Sequence, residues 1–178
     1  MKKNILIYGI ISGLMVSTFM LISMNYLSHC EGNVDYGTSM MIGYASMLVA
    51  FSLVFVGIRN YRDKFNQGFI SFGKAFGIGL AIVLIASTMY VISWRIDYVY
   101  FMPDFMDKFS AKMLDDLKSS GASETEIAEK TAELAKSTEM YKKPLYFFMI
   151  TYMEILPIGI LVSLISSLIL KRKQSQPA

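Results

Sequence analysis

Four blocks of the chain stay apolar for longer than a core helix of a small globular protein requires. They run roughly from Ile5 to Leu27, Ser39 to Ile58, Phe72 to Met102 and Leu145 to Leu170. Crossing the hydrocarbon core of a bilayer takes about 20 predominantly apolar residues of helix. Gly, Ser and Thr inside the blocks do not disqualify them, because a helix satisfies its own backbone groups in lipid. Between the third and fourth blocks the pattern changes. Pro103 ends the apolar run, and "DFMDKFSAKMLDDLKSSG" then places Phe105, Phe109, Met113 and Leu117 near helical spacing. Gly121 supplies a C-terminal cap, and Ser123 with Glu126 has the spacing of a capping box. Ile127, Leu134 and Tyr141 recur on one face of the next segment, until Pro144 opens the fourth block. The pattern predicts an all-α membrane protein with four transmembrane helices. Residues 103–143 form a polar helical hairpin, extracytoplasmic, between spans three and four. The whole chain, 1–178, is expected to be a single domain.

Composition agrees with the pattern. Of 178 residues, 54% are hydrophobic and 17% charged, with a mean hydropathy of +0.45. A soluble domain of this size has too little else in which to bury four all-round apolar helices. Charge then orients the spans. Lys2 and Lys3 precede span one, Arg59, Arg62, Lys64 and Lys74 follow span two, and Lys171 to Lys173 follow span four. The loop "SHCEGNVDYGT" after span one has no Lys or Arg. With four spans the three basic clusters share one side, which the positive-inside rule makes cytoplasmic, termini included. The lysines of the 103–143 insert run mildly against this. A net charge of +3 without a basic stripe interleaved with stacking aromatics does not describe a nucleic-acid binder. The partner that the composition implies is the lipid bilayer. A homo-oligomer or a membrane partner protein is equally compatible with it.

Cys30 is the sole cysteine, so no intrachain disulfide forms. "MKK", an apolar run and "LSHC" superficially suggest a lipoprotein signal, but His29 stands where a small residue belongs. The run is also longer than a signal-peptide core and lacks a small-residue cleavage site. Residues 5–27 therefore read as a retained span and Cys30 as a loop thiol.

Candidate chemistry begins with Arg95 and Asp97, inside the apolar stretch "SWRIDYVYFMPDF". A charge near the bilayer centre costs roughly 2.5 kcal/mol or more, so it faces a partner or reaches water. Arg95 lies eight positions before Pro103 and Glu154 ten positions after Pro144, about 12 and 15 Å along their helices. Antiparallel spans three and four would bring the two to similar depth, and an Arg95–Glu154 ion pair is the central expectation. Asp97 points away from Arg95 on a helix and is an additional polar site. Trp94, Tyr98, Tyr100 and Phe101 read as an interfacial aromatic belt. Such a pair can fix helix register without further chemistry, or it can serve transport or proton relay. Pro157 frees the carbonyl of Met153 close to Glu154.

Small residues recur every four positions: Gly9, Gly13 and Ser17 on span one, Gly73, Gly77 and Ala81 on span three, Gly159, Ser163 and Ser167 on span four. That spacing lets membrane helices approach closely. "STFMLIS" and "STMYVIS" in spans one and three are a faint echo, compatible with hairpin duplication or with chance. With one histidine there is no histidine metal cluster, and no nucleophile elbow, Walker loop or dinucleotide fingerprint occurs. Fourteen methionines scattered through the chain read as gap-fillers. No cofactor or metal is expected, and no enzymatic activity.

The run "RNYRDKFNQGFISFGKAFGIGL", then "PDFMDKF", "YKKPLYFF" and "EILPIGIL", resembles a family of bacterial membrane proteins called domain of unknown function 4199. The resemblance extends over nearly the whole chain. It implies a small multi-span protein of the bacterial inner membrane and carries no assigned catalytic residues. For the basic loop of Arg59, Arg62, Asp63 and Lys64 the reading is orientation and headgroup contact, with a cytosolic partner as the sharper option. Two functions remain: a non-enzymatic structural or assembly component, or a small oligomeric transporter or channel using Arg95 and Glu154.

Overall fold

The computed structural model describes residues 1–29 and 36–172, and side chains outside 25–40. Cys30 and Lys173 lie outside the described residues. Among the described residues six helices follow one another: α1 Lys2–His29, α2 Tyr36–Phe65, α3 Phe72–Tyr100, α4 Phe105–Ser119, α5 Glu124–Tyr141 and α6 Pro144–Leu170. Among the described residues there is no strand, only an isolated antiparallel bridge between Ile70 and Arg172. Four helices among the described residues are long and apolar enough to cross a membrane: Lys2–Met24 of α1, Met41–Phe65 of α2, and all of α3 and α6. These are the helices of a membrane protein.

Their ends have local causes. α2 runs past its apolar block to Phe65, so Arg59, Arg62, Asp63 and Lys64 ride on its last turns rather than in a loop. Cations are favoured there by the exposed carbonyls of a helix C-terminus. The turn proper is 66–71. Gln67 and Gly68 take positive φ, and the Gly68 N–H reaches back to the Arg62 carbonyl at 2.8 Å. Glycine at the second of these positions removes the steric cost of the left-handed conformation. α3 ends at Tyr100, two residues short of the expected limit. The N–H groups of Phe101 and Met102 both converge on the Asp97 carbonyl, at 2.8 and 2.9 Å. Met102 precedes Pro103, which disfavours the helical conformation at that position.

The chain divides into two compact units, Met1–Trp94 with Tyr152–Ala178, and Arg95–Thr151. In the first, cross-contacts give the register. Asn4 donates to the Gly57 carbonyl at 2.9 Å and Ser12 to the Ala50 carbonyl at 2.7 Å, so α1 and α2 run antiparallel. Gly9 faces Ile85 and Gly13 faces Met89, so α1 and α3 run parallel. Gly79 faces Ser163 and Gly159 faces Val83, so α3 and α6 run antiparallel. The result is an up-down-up-down bundle. Phe51, Val54, Ile58, Ile82, Val83 and Ile155 are buried in it. On its outside, Leu14, Ile22, Leu84, Ile92, Leu161 and Ile169 leave half or more of their surface uncovered. A water-facing surface of this kind is unusual, and a lipid-facing one is ordinary.

The small-residue stripes are borne out on α1 and α6 and fail on α3. Gly73 and Gly77 have nothing within 4 Å of where a Cβ would stand. The buried stripe of α3 instead passes through Ala75, Ile78, Gly79, Ile82, Val83, Ala86 and Ser87.

The second unit contains α4, α5 and the flanking ends of α3 and α6. The reversal between α4 and α5 follows its sequence signals. Gly121 has φ +82°. Ser123 Oγ accepts from the Glu126 N–H at 3.3 Å, and the Glu126 carboxylate accepts from the Ser123 N–H at 2.8 Å, completing the capping box. The inward face of α4 differs from expectation. Met106 is buried while Met113 is 40% exposed. A constant step of four residues overshoots the 3.6-residue turn by about 40° each time, so such a row does not hold one face: Phe105, Phe109 and Leu117 are half-buried and Met113 is exposed.

Substituting Gly79→Leu should lower stability by about 1–3 kcal/mol through overpacking against Ser163 and Ile58. Gly73→Leu should change it by less than about 0.5 kcal/mol. Thermal unfolding of the detergent-solubilised protein tests both. In the hairpin, Ser123→Ala should cost about 1 kcal/mol. The bond from the Ser123 backbone N–H, then that from its hydroxyl, holds the Glu126 carboxyl below its usual range. Folding therefore favours the ionised form. That contribution is complete above the unfolded carboxyl's pKa and disappears as pH falls through the lower folded value. Acidification from about pH 5 to about pH 3 should destabilise the hairpin of the parent protein more than that of Glu126→Gln, read by circular dichroism.

Candidate functional site

Apart from Glu154, the charged residues described fall into three settings. The first is in the Arg95–Thr151 unit, at the end of α3. The Arg95 guanidinium lies 5.0 Å from the centre of the Phe147 ring and 6.0 Å from that of Tyr98. These rings and Tyr141 form a closed triad. Tyr98 meets Tyr141 at 5.3 Å and 73°, Tyr98 meets Phe147 at 5.5 Å and 44°, and Tyr141 meets Phe147 at 4.9 Å and 65°. One ring comes from α3, one from the end of α5 and one from the first turns of α6. Phe147 is fully buried and Tyr98 is 8% exposed. Edge-to-face aromatic pairs contribute about 0.5–1.5 kcal/mol beyond burial, and a cation over such a face about 0.5–2 kcal/mol. The Arg95 guanidinium thus rests on the faces of two rings.

Asp97 occupies another side of the same helical turn. It is 9% exposed, and its Oδ2 has no hydrogen-bond partner among the described residues. The expected aromatic belt divides: Trp94 and Tyr98 turn inward, whereas Tyr100 and Phe101 are 77% and 74% exposed. Glu154 belongs to the other unit, on α6. It is exposed beside Met153, and the neighbouring Tyr152 hydroxyl bonds Thr88 Oγ1 at 2.8 Å. Arg95 and Glu154 are thus each seen in their own surroundings.

The second setting is one end of the Met1–Trp94 and Tyr152–Ala178 unit, where the sequence-predicted basic cluster gathers more than its own residues. Arg62 Nε donates to Asp63 Oδ1 at 2.7 Å, Arg59 Nε stands 3.6 Å from Asp63 Oδ2, and Lys64 is exposed. Arg62 Nη1 also reaches the Leu170 carbonyl at 3.3 Å. Ile70 and Arg172 exchange two main-chain hydrogen bonds of 3.0 and 2.9 Å. Asn4, beside Lys2 and Lys3, bonds Gly57 two residues before Arg59. The start of α1, the end of α2, the 66–71 turn and residues 170–172 therefore share this end.

The third setting is the α4–α5 hairpin. A groove of 390 Å³ there is lined by Asp107, Ser110, Thr131, Leu134, Glu139 and Lys142, among others. Lys142 Nζ lies 2.6 Å from Glu139 Oε1. That bond holds the Glu139 carboxyl low and raises Lys142. Among the described residues no group of three or more His, Cys, Asp and Glu is placed to hold a metal ion.

The ring triad was not anticipated from the sequence. Its one signal was position: Tyr98 follows Arg95 by three residues, and Tyr141 closes the apolar row of α5. Contacts between distant segments, such as Asn4 with Gly57 or Ile70 with Arg172, left no comparable mark.

Searches of curated proteins and of solved structures gave no match. A family model does match, from the first turns of α1 to the residue that closes the Ile70 bridge. Over residues 7–172, the chain belongs to the family described as Protein of unknown function (DUF4199).

Proposed function

We propose that the protein is a non-enzymatic structural or assembly component of the bacterial inner membrane, with both termini cytoplasmic and the hairpin extracytoplasmic. What supports this is the use the bundle makes of its buried polar side chains. Asn4, Ser12 and Ser163 each donate to a main-chain carbonyl of a neighbouring helix, at 2.9, 2.7 and 3.4 Å. Hydrogen bonds between membrane helices contribute about 0.6–2 kcal/mol each. These three polar groups are spent on joining helices rather than on lining a path for a solute. The orientation rests on the basic end: its Lys and Arg come from three separate stretches of sequence, and the cytoplasmic face is where such residues accumulate.

A second reading, a small oligomeric transporter or channel, draws on other groups. Asp97 Oδ2, Ser17 Oγ and Ser87 Oγ are buried without a hydrogen-bond partner among the described residues. In that reading Arg95 and Glu154 belong to a polar intramembrane site.

Compartment-sensitive reporters fused to the two tails and inserted at Gly121 test the topology. The tails should report cytoplasm and the insertion the far side; a hairpin reporting with the tails refutes the orientation. Charge exchange separates the two functional readings. In the structural reading, Arg95→Ala lowers folded abundance in the membrane, and the exchange Arg95→Glu with Glu154→Arg restores it if the two pair. Failure of the exchange to restore abundance assigns Arg95 to the ring triad alone. In the transport reading, Glu154→Gln leaves abundance unchanged and abolishes proton or ion flux in proteoliposomes.

A further inference from the structure

The basic end differs from an ordinary run of flanking lysines in how its cations are held. Every described Lys and Arg of the Met1–Trp94 and Tyr152–Ala178 unit belongs to it, against a single carboxylate there, Asp63, which Arg62 and Arg59 already engage. Two cations are fixed without neutralisation. Lys74 Nζ sits 5.1 Å from the centre of the Tyr61 ring and 3.0 Å from Asn66 Oδ1. The Arg172 guanidinium sits 5.9 Å from the centre of the Phe69 ring. A ring face or an amide oxygen orients a cation and leaves its charge available. Both residues are exposed. The backbone beneath them is held by the Gly68–Arg62 bond and the two bonds between Ile70 and Arg172. The same turn opens α3, whose first N–H groups add positive potential. Arg62, bonded to the Leu170 carbonyl, ties this floor to the end of α6.

We propose that this turn, with residues 170–172, is a selective site for the phosphodiester of an anionic phospholipid, with Lys74 and Arg172 as the cations that contact it. The site lies at the ends of membrane-length helices, at the level where headgroups meet water. A guanidinium matches a phosphate with two parallel bonds, and an ammonium adds a point charge. Phosphatidylglycerol presents the phosphate with no compensating cation. Phosphatidylcholine carries a quaternary ammonium that Lys74 and Arg172 repel. The inference requires that the helices lie in a bilayer and is independent of the structural-component reading.

The full chain in detergent micelles, supplemented with phosphatidylglycerol or phosphatidylcholine, provides the test through its unfolding temperature. Phosphatidylglycerol should raise the midpoint, with an effect that weakens as salt rises, and phosphatidylcholine should not. K74Q and R172Q should each weaken apparent phosphatidylglycerol binding about fivefold. R172Q keeps the main-chain bridge to Ile70, and K118Q removes the same single charge from the hairpin and should leave binding unchanged. Equal stabilisation by the two lipids, undiminished binding in both neutral variants, or the same shift from inorganic phosphate alone overturns the proposal. A photoactivatable phosphatidylglycerol gives a readout that needs no variant. Labelling within 61–74 or 170–172 supports the site, and labelling confined elsewhere overturns it.

Discussion

The bundle depends on how closely its backbones can approach. Between helices in lipid there is no water to expel, and an apolar side chain gains little by leaving lipid tails for another helix. What remains is van der Waals contact at short range and hydrogen bonds that cross between helices. Both need small residues at the crossing points. Gly9 and Gly13 admit Ile85 and Met89, Gly57 admits Ile82 and Tyr8, and Gly159 admits Val83 and Phe51. The side-chain bonds of Asn4 and Ser12 to carbonyls of α2 reach their targets because α1 lies so near. The glycines and the short polar residues therefore act together, one permitting the approach and the other fixing the register.

This dependence explains which parts of the fold were legible in the sequence. Span number and approximate limits follow from length and apolarity, which the bilayer imposes on every face of a helix alike. The hairpin followed from water-side chemistry: Gly121 at positive φ and the Ser123–Glu126 capping box are local devices with local signatures. Which face of a span looks inward is a different question. In water, polar residues mark the outside of a helix. In lipid, Leu84 and Ile92 on the outer face of α3 are as apolar as Ile82 and Val83 on the inner one. With no polarity difference to read, the four-residue rhythm of Gly73 and Gly77 pointed at the wrong stripe, and Gly79 holds the contact. Gly73 and Gly77 face away from the packed stripe of the same turns, where Ala75 and Ile78 are buried.

The candidate sites show a related split. Arg95, Asp97 and Glu154 were conspicuous because ionisable residues in an apolar stretch carry a cost that calls for compensation. The sequence could supply candidate partners only of opposite charge. A cation over aromatic faces is an alternative that depends on residues 3, 46 and 52 positions further along the chain, at Tyr98, Tyr141 and Phe147. Aromatic residues are common at membrane borders for reasons of their own, so their presence did not announce a cluster. The basic end was visible as charge and invisible as a place, since only folding brings Arg62 to Leu170 and Arg172 to Ile70.

The two cationic settings use the same physical device to different ends. Arg95 rests on rings that are themselves buried, so its contacts are spent within the Arg95–Thr151 unit and hold α3, α5 and α6 residues together. Lys74 rests on the buried ring of Tyr61 and Arg172 on Phe69 of the 66–71 turn, but both cations are themselves exposed, so one side of each is held and the other is open. An ion pair in either place would have closed that option, because a carboxylate neutralises what it positions. Asp63 illustrates the difference: it occupies Arg62 and draws in Arg59, leaving those two as part of the floor. Asn4, Ser12 and Ser163 are committed to neighbouring helices, whereas Lys74 and Arg172 are oriented by a ring face and keep an exposed side, so the proposed lipid contact draws on groups that the helix packing does not use.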